Sequence, residues 1–290
     1  MSVKGRLIAM NFLQFFVWGA WLISLGGYMG GSLHFEGGQI GAIFATMGIA
    51  SLLMPGFVGI IADKWINAER LLGICHLLGS ACLFYASTVT SYDQMYWAML
   101  VNLLVYMPTL SLTNTVSYNA LENNKFDIVK DFPPIRVWGT VGFICAMWAV
   151  DLTGFKHTCA QLYVSAGAAL LLGLYSFTLP QCPPAKSESK TLLSSFGLDA
   201  LVLFKRKKMA IFFLFSMLLG AALQITNSYG DLFLSSFKDI PEYANSFGVK
   251  HSVILLSISQ MSETLFILAI PFFLRRFGIK QVMLISMTAR

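Results

Sequence analysis

The stretch MNFLQFFVWGAWLISLGGYMGGSLHF, which begins at Met10, resembles MAIFFLFSMLLGAALQITNSYGDLFLSSF, which begins at Met209, in its pattern of apolar and aromatic residues and glycine. Each leads to a second apolar span that is followed by a basic, glycine-containing turn. Apolar stretches longer than about 18 residues are typical of membrane-spanning helices. The recurrence predicts an internal repeat with about six spans in the first copy and about two, plus the start of a third, in the second. We expect the chain to be truncated at its C-terminal side.

The composition is that of a membrane protein. Hydrophobic residues make up 56% of the chain and charged residues only 12%, about half the charged share of a soluble globular protein. The net charge of +6 comes from basic residues in short turns, where membrane topology accounts for them better than nucleic-acid binding does. No nucleophile, base and orienting group occur in an arrangement typical of an enzyme. We therefore expect an all-α polytopic membrane protein that is neither an enzyme nor a nucleic-acid-binding protein.

The cysteines and histidines do not suggest a metal site. Cysteines are odd in number and mostly lie within apolar runs, without CxxC spacing or a histidine at metal-ligand distance. We expect no disulfide framework, no metal and no cofactor. His76 is a lone histidine inside an apolar span, whereas the histidines at positions 34, 157 and 251 fall in or beside turns, where we expect them to be solvated. The cysteines are Cys75, Cys82, Cys145, Cys159 and Cys182.

Hydropathy divides the chain into two unequal parts. We expect residues 1–180 to form a six-helix bundle, 181–208 a linker, and 209–290 a partial second bundle with helices 7, 8 and the start of 9. Part of the linker, LLSSFGLDALVLF, is amphipathic and predicts a segment lying on the membrane surface. The spans run roughly over 7–29, 40–62, 71–89, 95–120, 134–152, 161–179, 210–236 and 252–274, with a ninth beginning near residue 279.

The turns between spans alternate in charge. One set carries most of the lysine and arginine residues, including the cluster 205–208, and the other set is mixed or acidic. Because basic loops stay in the cytoplasm, this asymmetry predicts a cytoplasmic N-terminus in a multi-pass protein of the inner (cytoplasmic) membrane. An even number of spans separates the two repeats, so both copies share one orientation.

The turn after the second span, GIIADKWINAER, contains Gly59, Asp63, Lys64 and Arg70. It resembles the loop motif of the major facilitator superfamily, in which a glycine and an aspartate precede basic residues. A weaker copy, PFFLRRFGIK, occupies the equivalent position in the second repeat, which a random membrane edge would not explain. We interpret the turn as a conformational latch in which the carboxylate pairs across the bundle.

Longer segments identify the family. The chain resembles the bacterial nucleoside:proton symporters, which are nucleoside permeases of the major facilitator superfamily. The resemblance covers the full length and rests on NFLQFFVWGAWL, YMPTLSLTNTVSY, DFPPIRVWGTVGFI, MAIFFLFSMLLGAALQITN and ISQMSETLFILAIPFFLRRFGIK. It implies the major facilitator fold, with a complete N-terminal six-helix bundle and an incomplete C-terminal bundle. It also implies twelve spans in the complete family member, roughly 120 residues more than this chain by the size of the missing spans.

Three spans carry polar stripes that suit a nucleoside. Arg136, Thr140 and Phe143 have the spacing i, i+4, i+7 and therefore share one face of the fifth span. Gln224 and Asn227 on the seventh span, and Gln260 and Glu263 on the eighth, are each spaced i, i+3. Carboxamides suit the edge of a base, a carboxylate suits ribose hydroxyls, and a phenyl ring can stack on a base. Such amides also serve as hydrogen-bonding glue between helices, contributing roughly 0.6 kcal/mol each. Arg136 could equally be a cation at the membrane edge.

Glu263 is the only clear carboxylate in the middle of a span. A charge at that depth costs about 2.5 to 3.5 kcal/mol or more, and such acids usually mark substrate pathways or proton relays. We therefore take Glu263 as the group whose protonation is linked to substrate binding.

The resemblance to the symporters implies that these same residues line a nucleoside cavity. It implies alternating-access transport of nucleosides such as uridine, adenosine or cytidine, coupled to protons. Three alternatives remain open: an inactive or incomplete fragment of such a carrier, a related sugar or xanthosine carrier, and a receptor or channel. The last is less favoured because no selectivity-filter ring is recognisable. The implied substrate-binding residues are Arg136, Thr140, Phe143, Gln224, Asn227, Gln260 and Glu263.

Overall fold

A computed structural model describes residues 2–184, 198–262, 264–265, 273, 276–278 and 281. Every regular element in these ranges is helical. Within them, five helices are long and apolar enough to cross a membrane, and two shorter apolar helices accompany them. The predicted all-α membrane architecture is confirmed.

The helices follow the apolar runs of the sequence. They are α1 (Val3–Gly19), α2 (Leu25–Gly31), α3 (Gly37–Lys64), α4 (Ala68–Thr88), α5 (Tyr92–Asn123), α6 (Ile128–Leu152) and α7 (Ala160–Ser176). Later in the chain come a 3-10 turn (Leu198–Lys205), α8 (Lys207–Ser236), a 3-10 turn (Phe237–Asp239), α9 (Phe247–Lys250) and α10 (Ser252–Ser262).

Of the predicted surface segment of the linker, residues 192–204, the first six residues lie outside the described ranges and the rest form the 3-10 turn Leu198–Lys205. The predicted ninth span falls almost entirely outside the described ranges. We call the end of the bundle that holds Ser2 the N-terminal end and the opposite end the distal end.

The first predicted span, 7–29, is two helices instead of one. α1 ends at Gly19, and a turn over residues 20–24 separates it from α2. Within the turn, the amide of Trp21 donates to the carbonyl of Trp18 over 3.3 Å, a tighter connection than the α-helical one. The break allows the two halves of one span to pack on different partners.

α6 begins earlier than the predicted boundary at residue 134. Asp127 caps it by accepting hydrogen bonds from the amides of Val129 (2.9 Å) and Lys130 (3.3 Å). The Pro133–Pro134 pair therefore lies inside the helix instead of at its start. Arg136 consequently lies about 12 Å along the axis from the first residue of α6, at 1.5 Å per residue. Arg136 is therefore not at the start of its helix.

Glycines bring the backbones of α1 and α6 into direct contact. A Cβ atom placed on Gly142 would lie 2.1 Å from the carbonyl oxygen of Phe12, and one on Gly19 would lie 2.5 Å from the carbonyl oxygen of Phe143. Gly139 faces the ring of Phe15 in the same way, at 2.6 Å. Close approach at small residues is a principal source of helix association in a membrane. These contacts set the height and rotation of α6, and with them the position of its polar stripe.

The segment after α7 is anchored at the N-terminal end. The buried carboxylate of Glu69 accepts hydrogen bonds from the side-chain amide of Asn67 (3.0 Å) and the backbone amide of Cys182 (2.8 Å). The carbonyl of Cys182 in turn accepts from the amide of Ala68 over 3.1 Å. Burial raises the pKa of the Cys182 thiol to about 11, so this thiol is unreactive at neutral pH. The five cysteines are all free.

We expect Gly142→Ala to destabilise the protein by about 1 to 3 kcal/mol, because the added methyl group meets a backbone atom that cannot rotate away. The check is the thermal unfolding midpoint in detergent. Gly167→Ala on α7 is the matched control, since nothing lies within 4 Å of a Cβ atom there. Equal midpoints for the two variants would show that the α1–α6 contact does not limit stability.

Candidate functional site

The predicted stripe on α6 points into the first bundle. Thr140 and Phe143 are buried, with 8% and 5% of their surfaces exposed, and Arg136 is half-buried. The guanidinium carbon of Arg136 lies 4.0 Å from the centroid of the Phe15 ring, within the range of a cation–π interaction. The cation, the hydroxyl group and the ring therefore share a face of α6, and side chains of α1 pack against Arg136 and Phe143 on that face.

An aromatic cluster adjoins this stripe. The ring of Trp18 meets Phe143 edge-on at 6.2 Å between centroids, and lies 5.9 Å from the ring of Tyr106. Phe15 lies 6.3 Å from Trp18 and completes the group. Phe15, Trp18 and Tyr106 were not predicted from the sequence. The first span is so rich in aromatic residues that spacing alone marks neither Phe15 nor Trp18, and Tyr106 joins them only through packing of α5 on α1. The cluster holds Phe143 in one orientation.

A buried polar network lies behind the aromatic cluster. The side-chain amide of Gln14 donates to the hydroxyl of Thr109 over 2.7 Å, and its oxygen lies 2.7 Å from Nε2 of His76. The same oxygen accepts from the hydroxyl of Thr113 over 3.1 Å, and the hydroxyl of Tyr106 donates to the backbone carbonyl of Gln14 over 2.7 Å. His76 is therefore a packed structural residue in a network that joins α1, α4 and α5.

The amide residues of the second repeat lie on α8 and α10. Gln224 and Asn227 are half-buried on α8, and the Gln224 amide donates to the hydroxyl of Ser228 over 3.0 Å. Gln260 is half-buried near the end of α10. Glu263 lies outside the described residues, so its role stays a prediction.

Contacts between the two repeats lie at the distal end. A Cβ atom on Gly26 would lie 2.5 Å from the carbonyl oxygen of Ser228, and the indole of Trp148 donates to the hydroxyl of Ser257 over 2.8 Å. The ring of Phe44 lies 6.3 Å from that of Tyr229. The buried residues of α8, Ser228 and Asp231, are both in its distal half.

We call these contacts between the repeats the distal seal. The candidate residues lie on its N-terminal side. Gln224 is four residues before Ser228 on α8, or about 6 Å along the axis. Phe143 precedes Trp148 on α6 by about 7.5 Å, and Gln260 follows Ser257 on the oppositely directed α10 by about 4.5 Å. Thr140 and Arg136 precede Trp148 by about 12 and 18 Å. Phe143, Gln224 and Gln260 therefore share roughly one level below the distal contacts, and Thr140 and Arg136 lie further toward the N-terminal end.

Two histidines that we expected to be solvated are partly exposed, and each also lies against a buried carboxylate at the distal end. Nε2 of His157 lies 3.0 Å from Asp231, and Nδ1 of His251 lies 2.7 Å from Asp151. Sequence reasoning missed both aspartates because each lies near the end of an apolar span, where a solvated carboxylate is common. Over the described ranges, no group of three or more His, Cys, Asp or Glu side chains is arranged to hold a metal ion.

The predicted latch residues lie where α3 ends. The helix ends at Lys64, and Asp63, Lys64 and Arg70 are exposed at the N-terminal end, with Gly59 half-buried one turn earlier. No ion pair of Asp63 occurs among the described residues. The latch therefore stays a prediction.

Comparison with known proteins decides the family. Residues 1–290 match the family described as nucleoside H⁺ symporter. The chain belongs to this family.

Relatives and solved structures agree with this membership. The chain is 56% identical to the xanthosine permease of Escherichia coli K12 and 53% identical to the nucleoside permease NupG of the same organism. In both cases the match covers all of this chain and 69% of the relative. A crystal structure of the nucleoside transporter NupG superimposes with a TM-score of 0.88 at 53% identity, over 100% of this chain and 72% of that one. A mutant of the same transporter gives a TM-score of 0.92.

Membership in the nucleoside H⁺ symporter family confirms several expectations from the sequence. The fold is that of the major facilitator superfamily, and the relatives are permeases and not enzymes. The chain is shorter than the symporters that it matches, as the incomplete repeat predicted.

We expect Gln14→Leu to lower the thermal unfolding midpoint strongly. The substitution leaves the buried ring nitrogen of His76 and the buried hydroxyl of Thr113 without their partner, and each such group costs about 1 to 3 kcal/mol. Asn123→Leu is the control, since the hydrogen bond of Asn123 to Asn119 is exposed. A Gln14→Leu midpoint within a degree of the control would contradict a structural role for the network.

Proposed function

We propose that this chain carries nucleosides across the inner membrane together with protons, by alternating access. The observation that carries the proposal is the distal seal, with Phe143 of the first repeat and Gln224 and Gln260 of the second at one level beneath it. Thr140 and Arg136 lie about one and two helical turns further from the seal. A carrier of this type exposes a central site to one side at a time. With the N-terminus in the cytoplasm, as the basic turns favour, the distal end faces outward and the structure is closed to the outside.

The proposed nucleoside site uses the residues singled out by spacing. Arg136 and Thr140 supply a cation and a hydroxyl, and Phe143 offers a ring held by Trp18 for stacking on a base. Gln224, Asn227 and Gln260 supply amide donors and acceptors from the second repeat, which match the edge of a base. Glu263 supplies a carboxylate for ribose hydroxyls and, by exchanging a proton, couples substrate to the proton gradient.

Nucleosides are the proposed class of substrate, and the preferred nucleoside within that class is a separate matter. Similarity to both a xanthosine permease and a nucleoside permease supports a nucleoside as substrate. The finer choice among uridine, adenosine, cytidine and xanthosine is decided by competition. A sugar carrier is less favoured, because a sugar leaves the amide stripes without a base edge to recognise.

The test is uptake of labelled uridine, with and without a protonophore, by cells that lack their own nucleoside carriers and express this chain. Uptake that the protonophore abolishes, and that excess unlabelled nucleoside but not ribose suppresses, supports the proposal. Membrane-inserted chain without uptake of any labelled nucleoside supports the inactive-fragment alternative. Suppression by free sugar at equal concentration would favour a sugar carrier.

We expect Phe143→Ala to raise the KM for uptake about tenfold or more, because a base–aromatic stack contributes about 1 to 3 kcal/mol. Phe84→Ala is the control, since that ring is 58% exposed on the outside of α4. If Phe143→Ala and Phe84→Ala have equal KM values at equal amounts of membrane-inserted protein, Phe143 does not contact the nucleoside.

We expect Glu263→Gln to abolish the pH dependence of nucleoside accumulation, because a glutamine amide does not bind or release a proton as a carboxylate does. Glu242→Gln is the control, since Glu242 is exposed in the loop after α8. The measurement is the accumulation ratio as a function of external pH. Accumulation by Glu263→Gln that keeps the normal pH profile would assign coupling to another group.

A further inference from the structure

Two carboxylates at the distal end are bound reciprocally across the gap between the repeats. Asp151 at the end of α6 pairs with His251, just before α10, while Asp231 on α8 pairs with His157, in the loop before α7. Each half thus contributes one aspartate and one histidine. Both carboxylate side chains are fully buried, and both histidine side chains are 36% exposed. The imidazoles therefore reach solvent at a place where the acids do not.

The two pairs differ in their other partners. Asp151 also forms an ion pair with Lys156, whose ammonium lies 3.2 Å from the carboxylate. Lys156 is itself fixed across the gap, donating to the carbonyl of Lys250 over 2.7 Å and to the hydroxyl of Ser252 over 3.0 Å. A permanent cation therefore neutralises Asp151 whatever the state of His251.

Asp231 has no permanent cation in direct contact among the described residues. One of its oxygens accepts a hydrogen bond from the hydroxyl of Ser252, and that hydroxyl accepts from Lys156, so the lysine reaches Asp231 only through an uncharged group. The other oxygen lies 3.0 Å from Nε2 of His157. A buried carboxylate without a cation in direct contact is costly, and His157 provides such a cation only when it is protonated. The charged and titratable groups around His157 are Asp231 on α8, Asp151 on α6, Tyr28 on α2, and Lys156, Cys159 and His251 in the adjoining loops.

α2 brings the bundles together at this pair. A Cβ atom on Gly27 would lie 2.4 Å from a carboxylate oxygen of Asp231 and 2.7 Å from Nε2 of His157. The hydroxyl of Ser32, in the turn after α2, donates to the backbone carbonyl of His157 over 2.6 Å. Glycine at position 27 thus leaves room for the imidazole and the carboxylate to meet against the helix.

We propose that the His157–Asp231 pair is a proton-binding closure of the distal gate, while the His251–Asp151–Lys156 group closes the same gate independently of pH. Histidine is the side chain whose ordinary titration falls between pH 5 and 8. A charge-assisted hydrogen bond is roughly twice as strong as a neutral one. The charge on the imidazole therefore adds stabilisation to the closed gate, and a rise in pH that deprotonates the imidazole removes it.

The test reads gate opening directly and uses no substrate, so its outcome is separate from that of the uptake test. Ile40 is 1% exposed and packs beside Gly30 with Leu232 of α8, so opening of the distal end uncovers it. We would label an Ile40→Cys variant, with the five native cysteines replaced by alanine, in nanodiscs with a maleimide. A Thr90→Cys variant, at an exposed position, corrects for the effect of pH on thiol reactivity.

We expect the corrected labelling rate to be about threefold to tenfold lower near pH 5.5 than near pH 8, given the difference between charged and neutral hydrogen bonds. His157→Gln should abolish this dependence, whereas the matched His251→Gln should keep it. Asp231→Asn should also abolish it.

Three results would overturn the proposal: no pH dependence in the parent protein, an unchanged dependence in His157→Gln, or equal losses in His157→Gln and His251→Gln. A parent-like unfolding midpoint shows that each variant is folded. Should His157→Gln fail to fold, Gly27→Ala provides a second measurement, since its methyl group separates the imidazole from the carboxylate. It should give faster labelling near pH 5.5 than the parent, and an unchanged rate there would contradict the closure.

Discussion

Close approach of helix backbones at glycine is the constraint on which the rest of this structure depends. In a bilayer, lipid tails are as apolar as the helices, so association relies on packing and on hydrogen bonds between helices. Gly19 and Gly142 place α1 against α6, and the ring of Phe143 is held there by Trp18. Gly26 and Gly27 place α2 against α8. One predicted span thereby packs on both repeats, because the turn after Gly19 gives its two halves different faces.

Contacts within the first bundle and contacts between the repeats serve different purposes: the former make the bundle rigid, and the latter can break when the carrier changes its opening. The polar network around Gln14 and His76 joins helices within the first bundle, where buried groups without partners would be costly. Among the described residues, the contacts between the repeats that are formed by Gly26, Trp148 and the two histidine–aspartate pairs lie at the distal end. A carrier that alternates between two openings needs rigid bundles and a seal that can be broken. The distribution of buried polar groups meets both needs.

The grouping of the candidate residues on α6 was predictable because spacing on a helix is a local property. The pattern of Arg136, Thr140 and Phe143 follows from 3.6 residues per turn, and the structure places Thr140 and Phe143 on a buried face. The support for these residues was not predictable, since Trp18 approaches Phe143 from another part of the chain and Tyr106 packs on Trp18 from a third. His157 and His251 show the same limit: each has an exposed sequence context, but tertiary packing places a buried carboxylate beside it.

By itself, the sequence determined the membrane environment, the helical class, the repeat and the family, because these depend on composition, on apolar length and on long matched segments. It did not determine where α1 breaks or where α6 begins, since Gly19 and the proline pair have several local solutions that only packing distinguishes. It also did not reveal which acids pair with which bases across the repeats. Pairing depends on distances between residues far apart in the chain, and those distances exist only once the bundles have packed.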